Sequence, residues 1–153
     1  MSLLLKQLAA LLETETDGLA NLANFSAFIF QELKQLNWAG FYRLHKDELV
    51  LGPFQGKIAC TRLKRGKGVC WAAAEKGQTF IVSDVHEFPG HIACDSASQS
   101  EIVVPIFVQG KLWGVLDIDS PIKNRFSEKD QSFLEQAVLL LVKNSSFESC
   151  TYF

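Results

Sequence analysis

The spacing of apolar residues changes several times along this chain, and each change marks an element. Leu4, Leu5, Leu8, Leu11 and Leu12 recur at helical spacing, so residues 3–14 read as an amphipathic helix. Thr16 or Asp17 has the side chain to cap a second helix, with the stripe Leu22, Phe25, Ile29, Leu33 and Leu36, running to about Gln35. From Asn37 the period drops to two. Residues 38–44 predict a strand, Lys46-Asp47-Glu48 a turn, and residues 49–52 the start of the returning strand. The Gly- and Lys-rich stretch 53–68 leaves room for a short strand holding Ile58 and Cys60. Residues 68–77 read as a short Ala-rich helix ended by Gly77.

Residues 79–82 read as a buried strand, and 83–100 as a long polar loop with Pro89 and Gly90. Residues 101–108 and 111–119 form the clearest hairpin, around Gln109-Gly110. Ser127 caps a last helix, with Asp130 at capping-box spacing and Phe133, Leu134, Ala137, Val138 and Leu141 on its core face. The tail from Asn144 reads as weakly ordered. Hairpins dominate and βαβ repeats are absent. The expected class is α+β: a single domain over residues 1–153, with a central antiparallel sheet and helices, including the N- and C-terminal ones, packed on one face.

Composition narrows the partners. The net charge of -2 gives no electrostatic reason to expect nucleic acid or an anionic membrane. The short basic run Arg62-Leu63-Lys64-Arg65-Gly66-Lys67 reads as solvated loop. Lys6 interrupts the apolar N-terminus and Glu13 and Glu15 follow it, which argues against a secretory signal. No run approaches the roughly 20 apolar residues of a membrane span. A cytoplasmic setting is expected. There Cys60, Cys70, Cys94 and Cys150 would be free, catalytic or redox-active thiols, not a disulfide framework.

Cys94 stands out among them. It lies in a small, polar loop between His91 and Asp95, with Glu101 seven residues on, where a thiol can meet a solute and its pKa can be shifted. Period-two geometry puts Trp113, Val115, Asp117 and Asp119 on one face of their strand. Two carboxylates there either stand in solvent or need a counter-charge, such as a bound ammonium or metal. Trp38, Gly40 and Tyr42 share a face, as packing residues or as walls for an apolar or sulfur-bearing group. Glu101 is an edge residue or a pocket acid; His86 and His91 are surface residues or catalytic ones. A structural zinc site usually includes a Cys-x2-Cys pair, absent here, and His91-x2-Cys94 is only half of a motif, so no metal is assigned. Cys70 fits a small buried residue as well as a reactive thiol. Cys150 reads as incidental.

Four segments resemble the free methionine-(R)-sulfoxide reductases, GAF-domain enzymes that act on the free amino acid. They are Cys60-Thr61-Arg62, Gly66-Lys67-Gly68-Val69-Cys70, the run from Asp84-Val85-His86 through His91-Ile92-Ala93-Cys94-Asp95, and Gly114-Val115-Leu116-Asp117-Ile118-Asp119-Ser120. The resemblance runs from about Asn37 to Phe133. It implies that Cys94 is the catalytic cysteine, Cys60 the main resolving cysteine and Cys70 a third that also pairs with Cys94. It also implies that Trp38, Tyr42, Glu101, Asp117 and Asp119 form the substrate pocket. Trp71, where a small residue is expected after Cys70, and the tail with Cys150 depart from the pattern.

The chemistry that follows needs no metal and no bound cofactor. Glu101 or Asp119 protonates the sulfoxide oxygen, and the remaining carboxylates hold the substrate ammonium. Trp38 packs on the S-methyl group, the 83–100 loop closes over the substrate, and Cys94 passes through a sulfenic acid. A disulfide with Cys60 or Cys70 is then reduced by thioredoxin, fed by NADPH. The R preference comes from the resemblance alone, and the oligomeric state stays open, a homodimer included. Two other classes compete: a GAF ligand-binding or redox-sensing domain without turnover, and a thiol peroxidase, which leaves the carboxylate cluster without a job.

Overall fold

The computed structural model describes residues 2–91 and 94–147. Its elements follow the order α1 (Leu3–Glu13), α2 (Gly18–Glu32), β1 (Trp38–His45), β2 (Glu48–Gly56), β3 (Arg62–Lys64), α3 (Gly68–Lys76), β4 (Phe80–Val82), β5 (Ser100–Val108), β6 (Lys111–Ser120) and α4 (Glu128–Asn144). Local chemistry sets most of these limits. Asp17 accepts a hydrogen bond from the Ala20 amide and so starts α2. Ser127 and Asp130 cap each other's backbone amides at the start of α4. Gly77 ends α3 in the left-handed region, φ 65°, where a Cβ would be strained.

The six strands form one sheet in the order β3-β2-β1-β6-β5-β4, every neighbouring pair antiparallel. Alternation along the central strands splits the apolar residues between its two faces. Ala39, Phe41, Ile102, Val104, Leu116 and Ile118 meet α1, α2 and α4 through Leu8, Leu12, Phe25, Ile29, Leu134 and Leu141. Each of the larger buried side chains among these, Val, Leu, Ile or Phe, contributes about 1.5–3 kcal/mol of transfer free energy. Trp38, Tyr42, Val103 and Val115 point the other way and are covered by α3 through Val69, Cys70 and Ala73.

The terminal helices therefore share a face, as expected, while α3 lies on the opposite one. That correction matters, because α3 roofs the face that carries the polar side chains. Four local readings also change. No strand forms around Ile58 and Cys60; β3 comes later, at Arg62–Lys64, and Ile58 is 90% exposed. The α2 helix stops at Glu32, with Leu33 in extended geometry. Trp113 does not share a face with Val115, Asp117 and Asp119. An irregularity between Ile106 and Phe107 leaves Trp113 as the extra residue in β6 and turns its ring onto Phe41 and Phe147. Residues 144–147 are packed: Ser146 bridges to Asp17, and Phe147 is buried against Trp113. Cys150 lies outside the described residues.

Candidate active site

The register of the sheet assembles the polar cluster. Trp38 on β1, Asp119 on β6 and Glu101 on β5 stand in one cross-strand row; Gly40, Asp117 and Val103 form the next. Neighbouring strands lie about 4.8 Å apart, so carboxyls from adjacent rows reach one another. The N-terminal turn of α3 brings Cys70 over them. Its Sγ and carboxylate oxygens of Glu101 and Asp117 all lie within 4.8 Å of one another. Cys70, Glu101 and Asp117 are buried, and Asp119 at the strand end is partly exposed.

These groups open into a pocket of ≈ 60 Å³, walled by Trp38 and Tyr42 on one side and by His91, Cys94, Asp95 and Ser98 on the other. Cys94 is joined to Cys60 in a disulfide, Cα–Cα 5.6 Å, and Cys70 is a free thiol. All eight residues singled out as site residues thus gather at one place. Of the two histidines, His91 lines the pocket, whereas His86 bonds Asp84 at 3.1 Å outside it.

Burial dominates the electrostatics. Desolvation pushes Glu101 and Asp119 well above the usual carboxylate range, and the Asp117 charge beside each pushes them further. Asp117 is raised by burial too, and held back by hydrogen bonds from Glu101 and Cys70. The Cys70 thiol is raised well above its ordinary value by burial and then by the nearby carboxyls, so it rests protonated. No ion pair among the described residues involves Glu101, Asp117 or Asp119. Asp117 Oδ1 is buried without a hydrogen-bond partner. The shifts favour the protonated carboxyls, and no cationic side chain among the described residues ion-pairs with them.

Two features escaped the sequence. The pocket aromatics also clasp the loop that carries Cys60. Trp38 Nε1 donates to the Lys57 carbonyl at 3.1 Å, and Tyr42 Oη donates to the Cys60 carbonyl at 2.9 Å. Tyr42 is held far above its ordinary pKa by burial and then by Asp117, so it remains a donor at any working pH. On the other wall, Asn37 Nδ2 donates to Asp95 Oδ2 at 2.9 Å and to Ser98 Oγ at 3.0 Å, fixing the chain just after Cys94. An asparagine before a strand carries no signal of such a role, because its partners lie about sixty residues away. Trp71 turns from the pocket: its Nε1 donates to the Leu63 carbonyl at 2.7 Å and Arg65 lies over its ring. It leaves Cys70 lining the pocket.

The GAF domain model matches residues 7–143, so the scaffold is a GAF domain. Such a scaffold does not specify chemistry. Closer relatives divide the possibilities. Protein YtsP of Bacillus subtilis is 57% identical over 92% of this chain and 88% of its own. The free methionine-R-sulfoxide reductase of Escherichia coli is 54% identical, over 88% of this chain and 81% of its own. The free methionine-R-sulfoxide reductase of Neisseria meningitidis, solved in complex with its substrate, superposes with a TM-score of 0.89 at 46% identity, over 98% of this chain and 90% of that one. With relatives this similar over most of its length, the chain belongs to the free methionine-R-sulfoxide reductase family of GAF-domain proteins.

Proposed function

We propose that this protein reduces free methionine-(R)-sulfoxide to methionine, with Cys94 as the attacking thiol and Cys60 as the main resolving thiol. The observation that carries the reading is the cluster of buried Glu101 and Asp117 with partly exposed Asp119, free of ion pairs among the described residues, beside the Cys60–Cys94 disulfide. The Escherichia coli and Neisseria meningitidis relatives bear the name of this activity.

A free amino acid brings the ammonium the cluster lacks. Ionised Asp117 and one of the outer carboxyls bind it. The other, Glu101 or Asp119, is kept neutral by burial and donates its proton to the sulfoxide oxygen. Trp38 packs on the S-methyl group. The Cys94 thiolate attacks sulfur; the S–O bond breaks, sulfur gains two electrons, and the oxygen passes to Cys94 as a sulfenic acid while methionine leaves. The Cys60 thiol then attacks Cys94 Sγ and expels water, giving a disulfide. Cys70, raised and protonated, is the slower alternative resolver. A thioredoxin-type dithiol, charged from NADPH, reduces the disulfide in a cytoplasmic setting. Closure of residues 83–100 over the substrate would exclude water. The residues in hand bind, protonate and attack the substrate without a resident metal or organic cofactor.

The test follows NADPH loss in the presence of thioredoxin, its reductase and substrate. Wild type consumes NADPH with free methionine sulfoxide, and Cys94→Ser does not. Absence of NADPH loss in wild type overturns the reading.

A further inference from the structure

The three carboxyls and the free thiol also meet a description other than that of an amino-acid pocket. Cys70 comes from α3, Glu101 from β5 and Asp117 from β6, and one ligand atom of each lies within 4.8 Å of the other two. A tetrahedral zinc-type ion, with bonds of about 2.3 Å to sulfur and about 2.1 Å to oxygen, sets its ligands about 3.6 Å apart. Rotation of two carboxyl side chains covers that difference. All three residues are more than nine-tenths buried. Asp117 lines this space, and its Oδ1 is buried without a hydrogen-bond partner. Sequence spacing conceals the set, since its members lie on separate elements.

We infer that a thiophilic divalent cation of the zinc class binds Cys70, Glu101 and Asp117 and shuts off the enzyme by occupying the place of the substrate ammonium. A thiolate with two carboxylates suits zinc or cobalt better than magnesium or calcium, which take all-oxygen sets. Binding releases the Cys70 proton and supplies the charge that the carboxyls lack. Because Cys70 stays outside the Cys60–Cys94 disulfide, the site persists in the oxidised protein. The inhibitory half rests on the proposed function; the binding half does not.

The experiment titrates the oxidised full-length protein with cobalt(II). The expected result is a thiolate-to-cobalt charge-transfer band in the near-ultraviolet, with the visible bands of a tetrahedral ion, bleached by one equivalent of zinc and untouched by excess magnesium. Cys150→Ser keeps the band and Cys70→Ser loses it. Asp117→Asn raises the cobalt dissociation constant by at least about tenfold. Free methionine sulfoxide raises it for wild type in proportion to its concentration. No band in wild type, or a band that survives Cys70→Ser, overturns the site. If Cys70→Ser does not keep its native circular dichroism, Asp117→Asn decides, and unchanged affinity overturns the site. A Cys70-dependent band that substrate leaves unmoved overturns the inhibitory half. A protein that binds cobalt through Cys70 yet never reduces methionine sulfoxide upholds the site and sinks the proposed activity instead.

Discussion

Glu101 and Asp119 are directly paired across the β5–β6 ladder, their side chains on the face covered by α3. Burial raises both carboxyls well above the usual range, and the Asp117 charge raises them further. A carboxyl that burial biases toward its protonated form, beside an ionised neighbour, suits the proposed site, which protonates a sulfoxide and binds an ammonium. Replacing the donor by its amide should lower kcat on the order of 10²- to 10⁴-fold. Replacing the other carboxyl should chiefly raise KM. Steady-state kinetics of Glu101→Gln and Asp119→Asn read the split, and two variants with unchanged kcat would remove the proton-donor role from both.

The same carboxyls fix the sign of a pH effect on stability. Their folded pKa values lie above the unfolded ones, so between the two values the native state binds more protons than the unfolded state. Their contribution to stability is therefore greatest below the unfolded carboxylate range and declines as pH rises towards the raised values. Glu101→Gln should flatten that decline, measured as Tm against pH from 4 upward, near the ordinary Glu value of 4.5. A wild-type Tm that climbs over this range in step with the variant's would contradict the assignment.

Tyr42 and the Cys60 carbonyl are joined by a single hydrogen bond, worth about 0.5–1.5 kcal/mol. Tyr42→Phe should leave methionine release in the first turnover nearly intact and slow disulfide formation by about three- to tenfold, as the Cys60 loop loosens. Rapid-quench thiol counting separates the two steps.

Selectivity for the free amino acid should be steep. Blocking the ammonium as the N-acetyl derivative leaves the buried carboxyls unpaired, so kcat/KM should fall on the order of 10²- to 10³-fold. Equal rates for the free and acetylated sulfoxides would remove the ammonium site.

Gly40 is where the pocket and the core compete for space. The Trp38 ring crosses it to stack on Phe54 at 5.2 Å, and a Cβ there would overlap Phe54 and sit 2.8 Å from the indole. Gly40→Ala should cost about 1–3 kcal/mol and lower Tm by several degrees, while displacing Trp38 and raising KM. Thermal unfolding together with substrate kinetics checks both effects.

Local patterns carried much of this fold. Helical stripes, the capping box of Ser127 and Asp130 and the Gln109-Gly110 turn each depend on residues a few positions apart, and apart from the end of α2, which stops at Glu32, each stands where the spacing puts it. The period-two pattern put Asp117 and Asp119 on one face, but it could not see the irregularity that turns Trp113 onto the helix side, since that depends on pairing with β5. The position of α3 was hidden for the same reason: an Ala-rich helix with Val69, Cys70, Trp71, Ala73 and Ala74 buried has no sharply apolar face to orient it. The cysteines and acids of the site were recognisable from motifs. Asn37 and the clasp on the Cys60 loop depend on long-range hydrogen bonds to backbone carbonyls and distant side chains, which leave no periodic trace.

The central claim, that Cys94 takes the oxygen of a free methionine sulfoxide and Cys60 resolves it, is tested most directly in a single turnover. Fully reduced protein is mixed with stoichiometric free methionine-(R)-sulfoxide and no other reductant, then trapped and analysed by mass spectrometry and amino-acid analysis. One methionine per chain should form, with a Cys60–Cys94 disulfide in wild type and a trapped Cys94 sulfenic acid or a Cys70–Cys94 disulfide in Cys60→Ser. No methionine, or methionine formed with Cys94 still a free thiol, would contradict the account.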